Sequence, residues 1–201
     1  RKTVIDGSNT SGFQRTALIA HNGLIETKEG AVTVPSICLE EDSARHISTN
    51  DYEVVYRLDR LGVSLIEIST GPDIKTPQQC MEVAERIGMI LRSTGKVKRG
   101  IGTIRQDVNI SIIGGRRVEI KGAQELRMIP VIVENEALRQ FNLLQLKEEL
   151  NKRGSALKKE LVSLSDILRS SESNVIKSVL GGHGVVLGMK LKCFAGVVLI
   201  I

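Results

Sequence analysis

Thr103–Gly122, TIRQDVNISIIGGRRVEIKG, is the stretch whose reading decides the fold. Ahead of Gly114-Gly115, the polar Asp107, Asn109 and Ser111 alternate with Val108, Ile110 and Ile112. After it, Glu119 and Lys121 alternate with Val118 and Ile120. A period of two on both sides of a glycine pair predicts a β-hairpin with one face buried. Parity then selects the turn. A two-residue turn at Gly114-Gly115 would set Ile110 opposite Glu119 and mix the faces. A three-residue turn, Gly114 to Arg116, sets Ser111 opposite Glu119 and Asn109 opposite Lys121, and one face becomes wholly polar. Because paired residues share a face, the three-residue turn is expected.

Helical signals flank the hairpin. Upstream, Thr76 is a good N-cap, Pro77 suits the first helical position and Gln79 completes a capping box. Cys80, Val83, Ala84, Ile87, Ile90 and Leu91 recur at helical spacing, and Gly95 ends the helix. Downstream, a second helix is expected from Pro130 to about Arg153, with Leu138, Phe141, Leu143 or Leu144, Leu146 and Leu150 inward and Gly154 as its stop. Before the first helix, AVTVPSICLEED (Ala31 to Asp42), YEVVYRL and VSLIEIS have strand composition, with Pro35 hinting at an edge or a bulge. The order of strands, helix, hairpin, helix predicts an α+β fold, a mostly antiparallel sheet with helices on one face. From Ser155 the character changes. SALKKELVSLSDILRSSESNVIKSVL reads as polar helix, and GGHGVVLGMKLKCFAGVVLII as Gly-rich, then strand-like. The domain boundary is placed between residues 154 and 155.

The chain has 201 residues, 41% hydrophobic and 25% charged, the balance of a globular protein. With two Tyr, three Phe and no Trp, the core must rest on Ile, Leu and Val, which argues against aromatic base-stacking platforms. A net charge of +5 tilts toward an anionic partner such as nucleic acid, or is simply a slightly basic surface. Cys38, Cys80 and Cys193 have no zinc-like spacing and suit a reducing, cytoplasmic setting. No apolar run approaches the ~18 residues that span a bilayer, so no membrane partner is expected. The chain opens on Arg1 and stops within a strand-like run, as a fragment would.

Glu67 poses the chemical question. Leu65, Ile66 and Ile68 surround it in a run that reads as a buried strand, and an ionised carboxylate there needs a partner. Arg57 or Arg60 could form an ion pair with it. A divalent cation could equally hold it, because Mg²⁺ takes one or two carboxylates plus waters and phosphates. Glu40, Glu41 and Asp42 end another strand, and could also be an ordinary solvated loop. Arg105, Asp107 and Asn109, then Glu119 and Lys121, add acidic and basic groups on the hairpin, or form common cross-strand pairs. Arg57, Arg60, Lys96, Lys98 and Arg99 flank them. Carboxylates beside cationic side chains fit phosphoryl transfer, where positioning and electrostatics do most of the work. His46 and His183 read as structural. The loop Gly7 to Gly12 could cradle a phosphate, but lacks a P-loop lysine.

RKTVIDGSNTSGFQRT, CLEEDSARHI, YRLDRLGVSLIEISTGPDI, GMILRSTGKVKRGIGTIRQDVNISI and RVEIKGAQELRMIP together closely resemble the E-type subunit family of the archaeal glutamyl-tRNA(Gln) amidotransferases, related to the bacterial B-type subunit. The resemblance covers nearly all of residues 1–154. Residues 155–201 are similar to the start of that family's inserted domain, which is related to aspartyl-tRNA synthetase. The resemblance implies a catalytic cradle of the glutamine synthetase/guanido kinase fold. It implies ATP- and Mg²⁺-dependent phosphorylation of the glutamyl γ-carboxylate of Glu-tRNA(Gln), then amidation by ammonia from an asparaginase-like glutaminase subunit. A heterotetramer is implied for the full-length complex. Carried over by position, it makes Glu40 and Glu67 metal ligands and Asp107, Glu119, Arg105 and Lys121 catalytic-wall residues. Arg57, Arg60 and Lys121 then face the nucleotide. The family's N-terminal E-x-G-L-E-x-H block is absent and Ser64 stands where Pro is usual, so this chain alone is expected to be inactive. The competing expectation is a non-catalytic RNA-binding or assembly fragment whose acids serve only as ion pairs.

Overall fold

The computed structural model describes residues 17–155 and 160–197. The phosphate-loop reading at Gly7 to Gly12 and the last residues of the C-terminal strand-like run lie outside them. The chain forms two compact units, one of residues 1–108 and 120–133, the other of residues 109–119 and 134–201.

The first unit is built on a three-stranded antiparallel sheet. Strand β1 (Ala17–Thr27) turns tightly into β2 (Gly30–Glu41), and β5 (Ser64–Ser69) adds to the far side of β2. The β1–β2 register shifts between Leu18 and Ala20 on β1 and not at Pro35, although the inward alternation of β2 breaks there. Val32 and Val34 point inward before it and Ile37 after it, and Asn22 on β1 takes a left-handed φ of 59° at that level. Strands β3 (Arg45–Thr49) and β4 (Val54–Arg57) form a separate, largely exposed ribbon. Its polar first strand, RHIST, has no period-two apolar signal and escapes sequence reading.

Helix α1 (Pro77–Ser93) covers one face of the sheet. Val83 packs with Ile25, Val32 and Val34, and Ile37, Ile68, Ile74 and Ile87 close around them. The helix begins as its sequence predicts, with the Thr76 hydroxyl accepting the Gln79 N–H at 3.0 Å. The Gln79 side chain reaches one residue beyond the expected box and accepts the Lys75 N–H at 2.8 Å. Its Nε2 donates to Thr27 Oγ1 at 3.1 Å, so buried Gln79 tethers the helix start to β1. Thr76→Ala is expected to cost about 1 kcal/mol of stability, read as a lower urea midpoint with an unchanged slope. The predicted stripe holds at Val83 and partly at Cys80, Ala84, Ile87 and Leu91, but Ile90 is exposed.

Strands β6 (Val108–Ile110) and β7 (Val118–Ile120) pair as the alternation requires: Val108 and Ile110 are buried while Asn109 and Glu119 face out. The strands are shorter than expected, and Ser111 and Lys121 lie beyond them. The reversal is a β-turn closed by the Gly115 N–H to the Ile112 carbonyl at 2.9 Å. Gly114 at its third position has φ of 79°, which replaces the three-residue loop.

Helix α2 (Ile129–Lys152) follows a 3₁₀ turn at Leu126–Met128. It ends in a Schellman motif: Gly154 at φ 61° donates to Asn151, and Ser155 to Leu150. Its inward face corrects the sequence reading. Leu138, Phe141 and Leu143 are exposed, whereas Glu136 and Gln140 are buried and Leu144 is half-buried. The long polar helix expected after Ser155 is also corrected. Strand β8 (Leu161–Ser163) pairs antiparallel with β9 (Leu187–Met189), and only α3 (Asn174–Gly181) between them is helical. Serines interrupt the stretch too often for one continuous helix. The described architecture is α+β with antiparallel pairing, divided among one three-stranded and three two-stranded sheets rather than a single sheet.

Buried Glu136 is held by Arg139 through two bonds of 2.7 and 2.8 Å, and the guanidinium lowers the carboxyl below its ordinary 4.5. A depressed folded-state value means the contribution is present above 4.5 and is lost as pH falls through the folded value. Arg139→Leu leaves the buried carboxylate with the Gln140 amide but no counter-charge, so the deficit against wild type should be greatest at neutral pH. Urea midpoints of both proteins across mildly acidic to neutral pH check it.

Candidate functional site

The β2–β5 register decides where Glu40 and Glu67 stand. Cys38 pairs with Glu67 and Glu40 with Leu65, so these four side chains share one face. The alternate rung, Ile37 with Ile68, faces the core under α1. Glu40 and Glu67 are therefore diagonal neighbours on the face away from the helix. Glu67 is exposed, which corrects the buried-strand reading. Strand β5 lies at the sheet edge, and only its Ile68 side meets the core.

The partner of Glu67 is another carboxyl. Glu40 is hydrogen-bonded to it, and the Glu40 carboxyl is raised above 4.5 by burial first, then by that bond and by the charge of Glu67. The shift has that direction because two ionised carboxylates in contact repel. Arg57 and Arg60 do not provide the ion pair. Arg57 bonds Asp59 at 2.8 Å and Arg60 bonds Asp42 at 2.6 Å. Asp42 is the member of the acidic triplet whose role the sequence does not reveal; a carboxylate 18 residues before an arginine carries no local signal.

Segments 105–107 and 121–123 are joined at a second place. Asp107 accepts the Gly122 N–H at 2.9 Å, and Gln106 is zipped to Ala123 by its backbone carbonyl at 3.0 Å and its side-chain amide at 2.6 Å. This joint holds segment 105–107 beside 121–123, with Arg105, Asp107 and Lys121 exposed. Glu119, also exposed, belongs to the second unit.

Among the described residues, no group of three or more His, Cys, Asp or Glu could hold a metal ion. Two touching carboxyls still suit a hard cation that keeps waters or phosphate oxygens for its other positions. The raised Glu40 carboxyl is the observation that fits: its repulsion with Glu67 is one that a cation could relieve. Because the folded-state value is raised, the contribution of Glu40 is full below 4.5 and is lost as pH rises through the folded value. In metal-free buffer, Glu40→Gln should therefore raise Tm at neutral pH, and the gain should shrink as pH falls toward 4.5. An equal gain at every pH would contradict the raised Glu40 carboxyl.

Comparison with known proteins gives the class of this α+β chain. A family profile described as the GatB/GatE catalytic domain matches residues 1–175. The E-type subunit of the glutamyl-tRNA(Gln) amidotransferase of Pyrococcus furiosus is 57% identical over 201 residues, covering 98% of this chain and 32% of the relative. Its counterpart in Methanocaldococcus jannaschii is 54% identical over 199 residues, with the same coverage. The chain belongs to the GatB/GatE family, as a homologue of the archaeal E-type subunit, GatE. It spans about a third of the length of these curated relatives. No helix among the described residues is long and apolar enough to cross a membrane.

Proposed function

We propose that this chain carries part of the catalytic cradle of a tRNA-dependent amidotransferase, which activates the glutamyl γ-carboxylate of Glu-tRNA(Gln) with ATP and amidates it. The observation that carries the reading is the Glu40–Glu67 carboxyl pair on the open sheet face. A fragment using its acids only as ion pairs would direct these two at arginines, and they are directed at each other. Residues 1–154 are assigned to the cradle, of glutamine synthetase/guanido kinase type, and residues 155–201 to the start of the inserted aspartyl-tRNA-synthetase-like domain. The partners are an asparaginase-like glutaminase subunit and Glu-tRNA(Gln), in a cytoplasmic heterotetramer.

A carboxylate is a poor acyl donor because its leaving group is oxide. In the proposed reaction a γ-carboxylate oxygen attacks the terminal phosphorus of ATP and ADP departs, giving an acyl phosphate. Ammonia then attacks the acyl carbon, phosphate leaves and the nitrogen loses a proton. Glu40 and Glu67 would hold Mg²⁺, whose charge lowers the repulsion between the two anionic reactants. Arg105 and Lys121 are assigned to phosphate oxygens, and Asp107 and Glu119 to orienting the reacting groups and accepting protons. Arg57 and Arg60 reach the nucleotide by exchanging Asp59 and Asp42 for phosphate, a route their exposure leaves open.

The test is Glu40→Gln in the full-length subunit with its glutaminase partner. The Mg²⁺ concentration for half-maximal ATP-dependent amidation should rise by about tenfold or more, as expected when a ligating carboxylate is lost. An unchanged Mg²⁺ dependence would remove Glu40 from the site.

A further inference from the structure

The residue that holds the β6–β7 hairpin is Gln140, on the face of α2 where sequence reading placed leucines. Gln140 is 4% exposed. Its Nε2 donates to the Ile110 carbonyl at 3.2 Å, and its Oε1 accepts the Ile112 N–H at 3.3 Å. Bonding the carbonyl of one residue and the N–H two residues on is what a parallel neighbouring strand does. The carboxamide of Gln140 thus replaces one residue of a missing strand beside Ser111, where β6 has ended. Both backbone groups would otherwise need another partner.

The amide has one workable orientation. Its Nε2 also donates to Glu136 Oε1 at 2.8 Å, and Arg139 holds Glu136 ionised through two bonds. Turning the amide over would set Oε1 against two acceptors and Nε2 against the Ile112 donor. The turn fits closely around this group. A Cβ added to Gly115 would overlap Gln140 Oε1 and stand 3.0 Å from Ile112 Cγ1. The chain Arg139–Glu136–Gln140 therefore sets the backbone from Ile110 to Gly115, three residues before β7 begins and carries Glu119 outward.

We propose that Gln140 is a positioning residue that, through the Ile110 and Ile112 backbone, places the Glu119 strand for the reaction. The proposal rests on the amidotransferase reading of Glu119.

Its test compares Gln140→Met, Gln140→Glu and Glu119→Gln in the full-length subunit assembled with its glutaminase partner. Met keeps the length and removes both backbone bonds. Its amide hydrogen exchange should quicken across residues 110–119 and not at the N-terminal end of α1, and kcat should fall about tenfold with little change in KM for Glu-tRNA(Gln). In Gln140→Glu, an ionised carboxylate meets the Glu136 carboxylate and the Ile110 carbonyl, whereas the protonated acid regains a donor. Its activity relative to wild type should therefore rise as pH is lowered from 8 to 6, a profile that general loosening does not produce. Unchanged exchange in Gln140→Met would overturn the inference. So would quickened exchange with wild-type kcat while Glu119→Gln is inactive. Full activity in Glu119→Gln would instead overturn the assignment of Glu119, and the positioning role with it.

Discussion

Glu67→Gln in the full-length subunit is expected to lower ATP-dependent formation of Gln-tRNA(Gln) by roughly a hundredfold or more, the scale seen when a transition-state charge loses its stabilising group. The change keeps the shape of the side chain and removes its charge. Glu67 is exposed on an edge strand, with its contact made to Glu40 rather than to the core, so folding and assembly should survive. In the absence of metal the variant should be slightly more stable, because the amide can donate permanently to Glu40. Glutaminase activity of the partner, measured alongside, should persist. Amidation near the wild-type rate would mean that the carboxyl pair has no part in the chemistry.

The largest loss of stability is expected from Val83→Asp. Val83 is 2% exposed and packs with Val32, which is fully buried, and with Ile25 and Val34. An unpaired carboxylate there costs several kcal/mol, against a total stability of only ~5–15 kcal/mol for a domain. The β1–β2–β5 sheet should lose its cover, and urea unfolding of the variant should begin without a native baseline. Val83→Ala, which leaves a small cavity, should cost only roughly 2 kcal/mol and keep a cooperative transition. A folded Val83→Asp with a midpoint close to wild type would show that α1 does not seal this core.

Alternation made the hairpin faces readable, because Val108 and Ile110 repeat at the period of a strand and Glu119 sits out of phase with them. Thr76, Pro77 and Gly95 marked the ends of α1 through local backbone chemistry, which needs no knowledge of the fold. The exposure of Glu67 was a different matter. Leu65, Ile66 and Ile68 give the same composition to a strand buried on both faces and to an edge strand with one face open. Only the β2 register, with Cys38 across from Glu67, puts Glu40 on the diagonal.

Helix α2 misled for a related reason. Its leucines and Phe141 occupy several faces, so an apolar stripe can be drawn along more than one line. The inward line runs through Glu136 and Gln140 because the hairpin offers that side of the helix an unfilled carbonyl and N–H. A local signal for this existed in the sequence: Glu136 and Gln140 lie four apart with Arg139 three beyond the glutamate, the spacing of side chains that bond one another. What they jointly bind lies about 30 residues earlier, and local spacing carries no information about that. The Arg60–Asp42 pair is long-range in the same way.

The most direct test of the carboxyl-pair site is Mn²⁺ titration of the full-length subunit, followed by electron paramagnetic resonance, in wild type and Glu67→Gln. The account predicts a bound Mn²⁺ in the wild type that Mg²⁺ displaces, and at least tenfold weaker binding in the variant, as loss of one ligating carboxylate should bring. Equal Mn²⁺ affinity in the two proteins would contradict it, and would leave Glu40 and Glu67 as neighbouring carboxyls with no part in binding the cation.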